Sequence, residues 1–378
     1  MVAILVATTG VAHAGAREQA KRLHDRLAGV PPTAAVLTQM ETLISGGGAS
    51  GAQQAAAIAM QSPSFYNVTV KNFVTPWTNR DQTVFAPLND YTATVVGMVR
   101  DDVAFDTVLS ADILYVGGSG RPAYSPANND LYDQLESTGA NLGDPAVLVR
   151  TTQSQASGIP APATAGVMTT RAAAQAFFVA GTNRAMFRFT MMNHLCKDLE
   201  QLADTSRPPD RIRQDVSRSP GGDSRIFLNN CIGCHSGMDP LAQAFAFYNW
   251  NETTTRIEYT PAMVQPKYHI NADNFKPGYV TPDDRWDNRW RQGPNEVLGW
   301  SAALPGNGNG AKSFGTEIGA SNQFARCQVE KVFKTVCLRP PANASDRTQV
   351  DSITAAFKAG GYKMKDVFAR AAVYCMGS

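Results

Sequence analysis

Residues 227–248 read FLNNCIGCHSGMDPLAQAFAFY. Cys231 and Cys234 are three apart and His235 follows at once, which is the Cys-x-x-Cys-His pattern of heme c attachment. The spacing follows from the chemistry. Each thiol adds across one vinyl group of the porphyrin, positions three apart share a face of a helical turn, and the next residue brings an imidazole to the iron. With six Cys and five His in 378 residues, composition alone yields such a match about once in a thousand chains of this kind. The expectation is one covalent heme c on Cys231 and Cys234, with His235 as proximal ligand.

Three other readings use the same residues. A structural zinc site needs four ligands, and no second Cys-x-x-Cys or spaced His pair completes one. A thioredoxin-like pair expects a strand before the motif, whereas Phe227-Leu228-Asn229-Asn230 shows no strand alternation. A plain Cys231–Cys234 disulfide is the third. For the distal position Met238 is too close in sequence to reach round the iron. Met263, in the loop Thr260-Pro261-Ala262-Met263, is the first candidate and His269 the second. Met192 and Met364 read as core residues, and His24 and His194 as surface or capping residues. Arg285, Trp286, Arg289, Trp290 and Trp300 either pack on the porphyrin with arginines to its propionates or form a small core under a loop. Asp273, Asp283, Asp284 and Asp287 match no calcium-loop spacing.

Outward from the motif the chain reads as mostly α: a helical N-terminal part, a cytochrome-c-like heme segment with long loops, and a C-terminal three-helix unit. Helices are expected over 16–28, 34–45 (capped by Thr33 and stopped by Gly46-Gly47-Gly48), 51–60 (capped by Ser50) and 89–100, with Asp101-Asp102 opening another. Residues 112–168 read as loops with a short strand pair. A long helix over 182–203 buries Ala185, Phe189, Met192, Cys196 and Leu199 on one face. Asp239–Tyr248 reads as helical, and 251–320 as an irregular stretch that covers the heme. Three helices, 322–338, 346–358 and 363–376, close the chain. The division is 1–14, 15–168 and 169–378.

Residues 1–14 read as an export signal, apolar and ending in Ala12-His13-Ala14, though no Lys or Arg precedes the apolar stretch. No run reaches the ~18 apolar residues of a membrane span. A net charge of +2 gives no footprint for nucleic acid. Beyond the motif four cysteines remain, an even number suited to two disulfides in the periplasm or outside the cell. Cys327 and Cys337, ten apart on one helix, are separated by about 15 Å and cannot pair. The first and third C-terminal helices run the same way, which brings Cys337 to Cys375. Cys327 faces another element, and Cys196 is its partner.

The motif followed by Met238-Asp239-Pro240 and the aromatic Ala244–Tyr248 resembles a family of exported heme-bearing proteins abundant in planctomycetes and proteobacteria, catalogued mostly as domains of unknown function. Looser echoes are the Arg26–Thr33 turn, Leu195-Cys196, and Phe324-x-x-Cys327 leading to Arg339-x-Pro341. The resemblance implies a helical fold, covalent heme and export. The function expected first is electron transfer through a six-coordinate heme, with a redox protein or copies of the chain itself as partner. The second is a heme enzyme, peroxidase- or oxygenase-like, with an open distal site. The third is an assembly protein whose heme bridges subunits.

Overall fold

The computed structural model describes residues 14–179, 181–269 and 275–377. The expected export signal lies outside the described residues except for Ala14, and Asp273 lies outside them as well. Among the described residues the fold is mostly helical, with three short two-stranded sheets.

Helices α1 (Ala16–Ala28) and α2 (Ala34–Ala59) form an N-terminal hairpin. Gly29 ends α1 in the left-handed region (φ 73°), and the Thr33 hydroxyl accepts from the Val36 amide at 3.3 Å, the expected cap. The expected stop at Gly46-Gly47-Gly48 shrinks to one residue. Only Gly48 leaves helical geometry, and the helix resumes without a cap at Ser50, its Ala52, Ala55, Ala56 and Ala59 buried in the core. Helix α3 (Asp90–Arg100) starts where Asn89 accepts from the Thr92 amide at 3.0 Å. Asp101 and Asp102 open no helix. Asp101 ends α3 and accepts from Arg100 and from the Tyr115 hydroxyl (2.7 Å).

Strands β1 (Leu114–Gly117) and β2 (Leu148–Thr151) pair antiparallel, the strand pair expected within 112–168. Between them lies α4 (Asp130–Ser137), buried through Leu131, Tyr132 and Leu135. Helices α5 (Arg171–Phe177) and α6 (Arg184–Leu195) follow. The expected helix over 182–203 is therefore shorter. Cys196 turns left-handed (φ 53°) and ends α6, and Asp198 and Gln201 form a capping box that starts a separate 3-10 turn, Leu199–Leu202.

The motif helix α7 (Ile232–Ala242) continues a π-turn, Phe227–Cys231. The helical expectation for 239–248 holds only to Phe245, because Tyr248–Asn251 is strand β3, paired with β4 (Arg256–Tyr259). The stretch 251–320 also contains β5 (Arg285–Asp287), β6 (Asn307–Asn309) and α8 (Gly310–Gly319). Its glycines disguised α8. A Cβ on Gly315 would lie 1.9 Å from the Leu109 carbonyl oxygen, so glycine there permits a backbone-to-backbone approach.

Helices α9 (Asn322–Cys337), α10 (Ala344–Ala359) and α11 (Met364–Cys375) pack on one another, and α11 also packs on α1 and α2. One hydrophobic core takes residues from Ala20 to Ala372, on both sides of residue 168. Cys196–Cys327 and Cys337–Cys375 are disulfide-bonded, each with Cα atoms 5.4 Å apart, the expected pairings, although Cys196 sits at the end of α6 and not within a helix.

Both histidines read as surface or capping residues are buried. His24 Nδ1 meets the Val30 carbonyl at 2.8 Å and closes the turn after α1. His194 is only 1% exposed, shares its Nε2 with the Tyr91 hydroxyl at 3.0 Å, and has no partner at Nδ1. Lys331 lies nearby with its ammonium 3.1 Å from the centre of the Trp77 ring. Burial first, and Lys331 second, hold the His194 pKa well below the ordinary 6.5. Folded His194 is thus neutral, while the unfolded chain binds a proton there below about pH 6.5. Its contribution to stability is complete above that pH and lost as pH falls, at up to about 1.4 kcal/mol per pH unit. Denaturant titrations of the wild type and His194→Gln between about pH 7 and pH 5 should show the steeper acid loss in the wild type; parallel curves would refute a neutral buried His194.

Candidate functional site

The site is built on the first two turns of α7. The preceding segment is helical, with Asp223 accepting from the Arg225 amide at 2.9 Å to cap it, so no strand leads into the motif and no thioredoxin-like unit is present. Cys231 and Cys234 are free, half-buried thiols, and the plain disulfide reading does not hold. Cys234 Sγ points to the Leu199 carbonyl at 3.4 Å, and burial, followed by Glu200, pushes its pKa up, keeping it a thiol. Among the described residues no group of three or more His, Cys, Asp or Glu side chains is placed to hold a metal ion.

His235 is 19% exposed at its side chain and lies on α7 one turn before Asp239. Its Nδ1 donates to Asp239 Oδ2 at 3.1 Å, which fixes the tautomer and leaves the Nε2 lone pair free to ligate. The Phe227 ring lies 6.2 Å away. Asp239 is wholly buried and would be costly as a lone anion. Two arginines compensate. Arg184 donates its Nε to Oδ1 at 2.9 Å and its Nη2 to Oδ2 at 3.2 Å, and Arg213 donates Nη2 to Oδ1 at 3.3 Å. Arg184 also holds Asp215 with both Nη atoms at 2.9 and 3.1 Å, and Arg213 Nη2 donates to the Thr182 hydroxyl at 3.0 Å. Burial pushes the Asp239 carboxyl up, but Arg184 and Arg213 outweigh it and hold the group well below the usual range.

The opposite face of α7 is fixed by contact. A Cβ on Gly237 would lie 2.0 Å from Trp290 Nε1, so glycine lets the fully buried indole press on the helix. Trp286 and Trp290 belong to the core, and Trp300 donates to the Trp290 carbonyl at 2.8 Å, which settles the aromatic residues as packing. Arg289 is held by Asp210 and the Pro208 carbonyl, and Arg291 by Glu317, so neither is free for an outside anion. Arg285 is exposed.

Met263 is 58% exposed. Its loop is fastened by the Thr260 amide to the Phe247 carbonyl (3.0 Å) and by the Gln265 amide to the Ala246 carbonyl (2.9 Å). That is about three turns further along the chain from His235. His269 is exposed beside Tyr268, whose ring lies under Arg213. Among the described residues neither makes a hydrogen bond or ring contact with Cys231, Cys234 or His235. The structure therefore holds the two thiols and His235 on one helical stretch, with Met263 on an exposed loop and His269 exposed beside Tyr268.

Sequence reasoning missed Arg184, Arg213 and Asp215. The charge alternation Arg211, Arg213, Asp215, Arg218 in a stretch without apolar periodicity was the available signal. An open cleft of about 330 Å³ adjoins the motif, lined by Ile212, Arg218, Phe227, Leu228, Ile232 and Phe275 among others. Two larger clefts, of about 630 and 470 Å³, include no residue of 227–235. Breaking a buried ion pair from one side typically costs about 3–5 kcal/mol. Asp239→Ala should therefore lower the unfolding free energy by about that amount, read from denaturant melts; a loss under about 1 kcal/mol would show that the two arginines do not depend on it.

Against known proteins, the chain matches no family model, no curated protein and no solved structure.

Proposed function

We propose that this chain is an exported monoheme c-type cytochrome that transfers single electrons through one covalently bound heme c. One observation carries the reading: Asp239 occupies Nδ1 of His235 and leaves Nε2 free, on the same helix as the only two unpaired cysteines. A buried carboxylate behind a histidine is the usual support for a metal-bound imidazole. The segregation of six cysteines into two disulfides and two neighbouring thiols fits an oxidising compartment, the periplasm or the outside of the cell. No helix among the described residues is long and apolar enough to cross a membrane.

Cys231 and Cys234 would each lose the S–H bond to a new C–S bond with a vinyl carbon, the hydrogen passing to the neighbouring carbon. His235 would hold the iron, with Asp239, Arg184 and Arg213 keeping its ring in place. When bound, the heme supplies a one-electron couple. The electron partner is a second redox protein or another copy of this chain. Exposed Ile226 and Leu228 beside the motif provide an apolar rim for such a contact.

Protein matured in a host with heme c machinery should show the mass of one covalent heme. Cys231→Ala/Cys234→Ala should lose it. An unmodified wild-type mass under those conditions rejects the reading.

The 58% exposure of Met263, on a loop fastened to Ala246 and Phe247, favours a second reading, a heme enzyme with an open distal position. An absorption spectrum separates the two. The electron carrier requires a low-spin oxidised protein, and Met263→Ala should convert it to high spin. Loss in His269→Ala instead assigns that residue, and retention in both variants points to a ligand from another subunit. A high-spin wild type is the signature of the enzyme.

A further inference from the structure

Arg218 stands apart from the other arginines near the motif. It lines the 330 Å³ cleft beside Phe227 and Ile232, and its guanidinium carbon lies 4.1 Å from the centre of the Phe275 ring and 5.3 Å from that of Phe227. Arg184, Arg207, Arg211, Arg213, Arg225, Arg289 and Arg291 each have a carboxylate at ion-pair distance, and Arg218 among the described residues has none. Among the described residues its hydrogen bonds run to backbone carbonyls only. Nη1 donates to Arg213 and Val216 (2.9 and 2.7 Å), and Nη2 to Ile212 (2.7 Å). Those bonds use three of the five guanidinium N–H groups, and among the described residues the Nε–H and one Nη2–H are undonated.

The setting gives that free edge a purpose. The cleft wall is apolar, formed by Ile212, Phe227, Leu228, Ile232, Phe275 and Tyr279. Its volume is at the small end of ligand pockets. Phe227, on that wall, is the ring nearest His235. Of the charged groups on the wall, Asp210 is engaged by Arg289. An apolar wall with one cation lacking a carboxylate, next to two free thiols, suits a flat apolar group bearing carboxylates. A guanidinium receives a carboxylate bidentately.

We propose that Arg218 anchors a propionate of the heme held by Cys231, Cys234 and His235, with the apolar cleft receiving that edge of the macrocycle. The assignment rests on the heme reading above. It replaces the arginines of 285–291, which are exposed or already paired. Arg218 also sets the potential: a cation on the propionate offsets negative charge near the iron, so its removal favours the oxidised state.

The test uses heme-loaded wild type, Arg218→Gln, Arg218→Lys and, as a control, Arg225→Gln, which removes an exposed arginine from the same segment. Mass spectrometry reports attachment, resonance Raman spectroscopy reports the propionate bending mode, and redox titration gives the potential. All four should carry heme. Arg218→Gln should shift the propionate mode and lower the potential, Arg218→Lys should recover part of both, and Arg225→Gln should change neither. Heme-loaded Arg218→Gln with an unchanged mode and potential overturns the anchor and leaves the heme reading standing. If the Gln variant fails to accumulate, an unchanged mode in Arg218→Lys overturns it equally. A wild type that takes no heme removes both.

Discussion

A carboxylate without water must be neutralised where it stands, and Asp239 sets that requirement for the centre of this protein. Its two oxygens receive donors from the first residue of α6, from the 209–218 segment and from His235 one turn earlier on α7. Three segments far apart in sequence are thereby held at one point. With Asp215 on the outer side of Arg184, two cations face two anions, so the cluster closes without excess charge before any ligand is considered. The same carboxylate determines which imidazole nitrogen is available. Fold and site share one anchor.

Local features were legible and shared features were not. Thr33 and Asn89 act as caps where the sequence placed them, and the C-terminal helices fall within a residue or two of expectation. The Cys337–Cys375 disulfide was readable because a helix fixes the direction and separation of its cysteines, with Cys196 as the remaining partner of Cys327. Helix α8 was lost because Gly315 and Gly319 lower helix propensity while serving close packing, although Ala311, Phe314 and Ile318 kept the correct spacing. Helix α6 was overextended because apolar periodicity continued through Cys196 to Leu199, past the left-handed turn at Cys196 and the capping box at Asp198.

The site divides in the same way. Cys231, Cys234 and His235 form a contiguous motif whose spacing is its own evidence. Arg184 lies 55 residues before Asp239 and Arg213 lies 26 before it, and nothing local marks either as its partner. His194 illustrates the converse error. Charged neighbours in sequence implied a surface position, yet Lys331 and Trp77 approach it from other elements.

The Cys196–Cys327 bond joins residues 131 apart, and that loop contains the motif, Asp239 with Arg213 and Asp215, and all of the irregular chain from 251 to 309. Loops of this kind are the segments proteases reach first. A single backbone cut anywhere inside the ring leaves both fragments covalently joined, and both remain packed in the same core. The closure itself reduces the freedom of the opened chain by about 5 kcal/mol in the chain-entropy model. Nicked protein would therefore migrate intact without reductant and fall into two pieces with it. The irregular half of this chain can therefore be broken without the molecule coming apart.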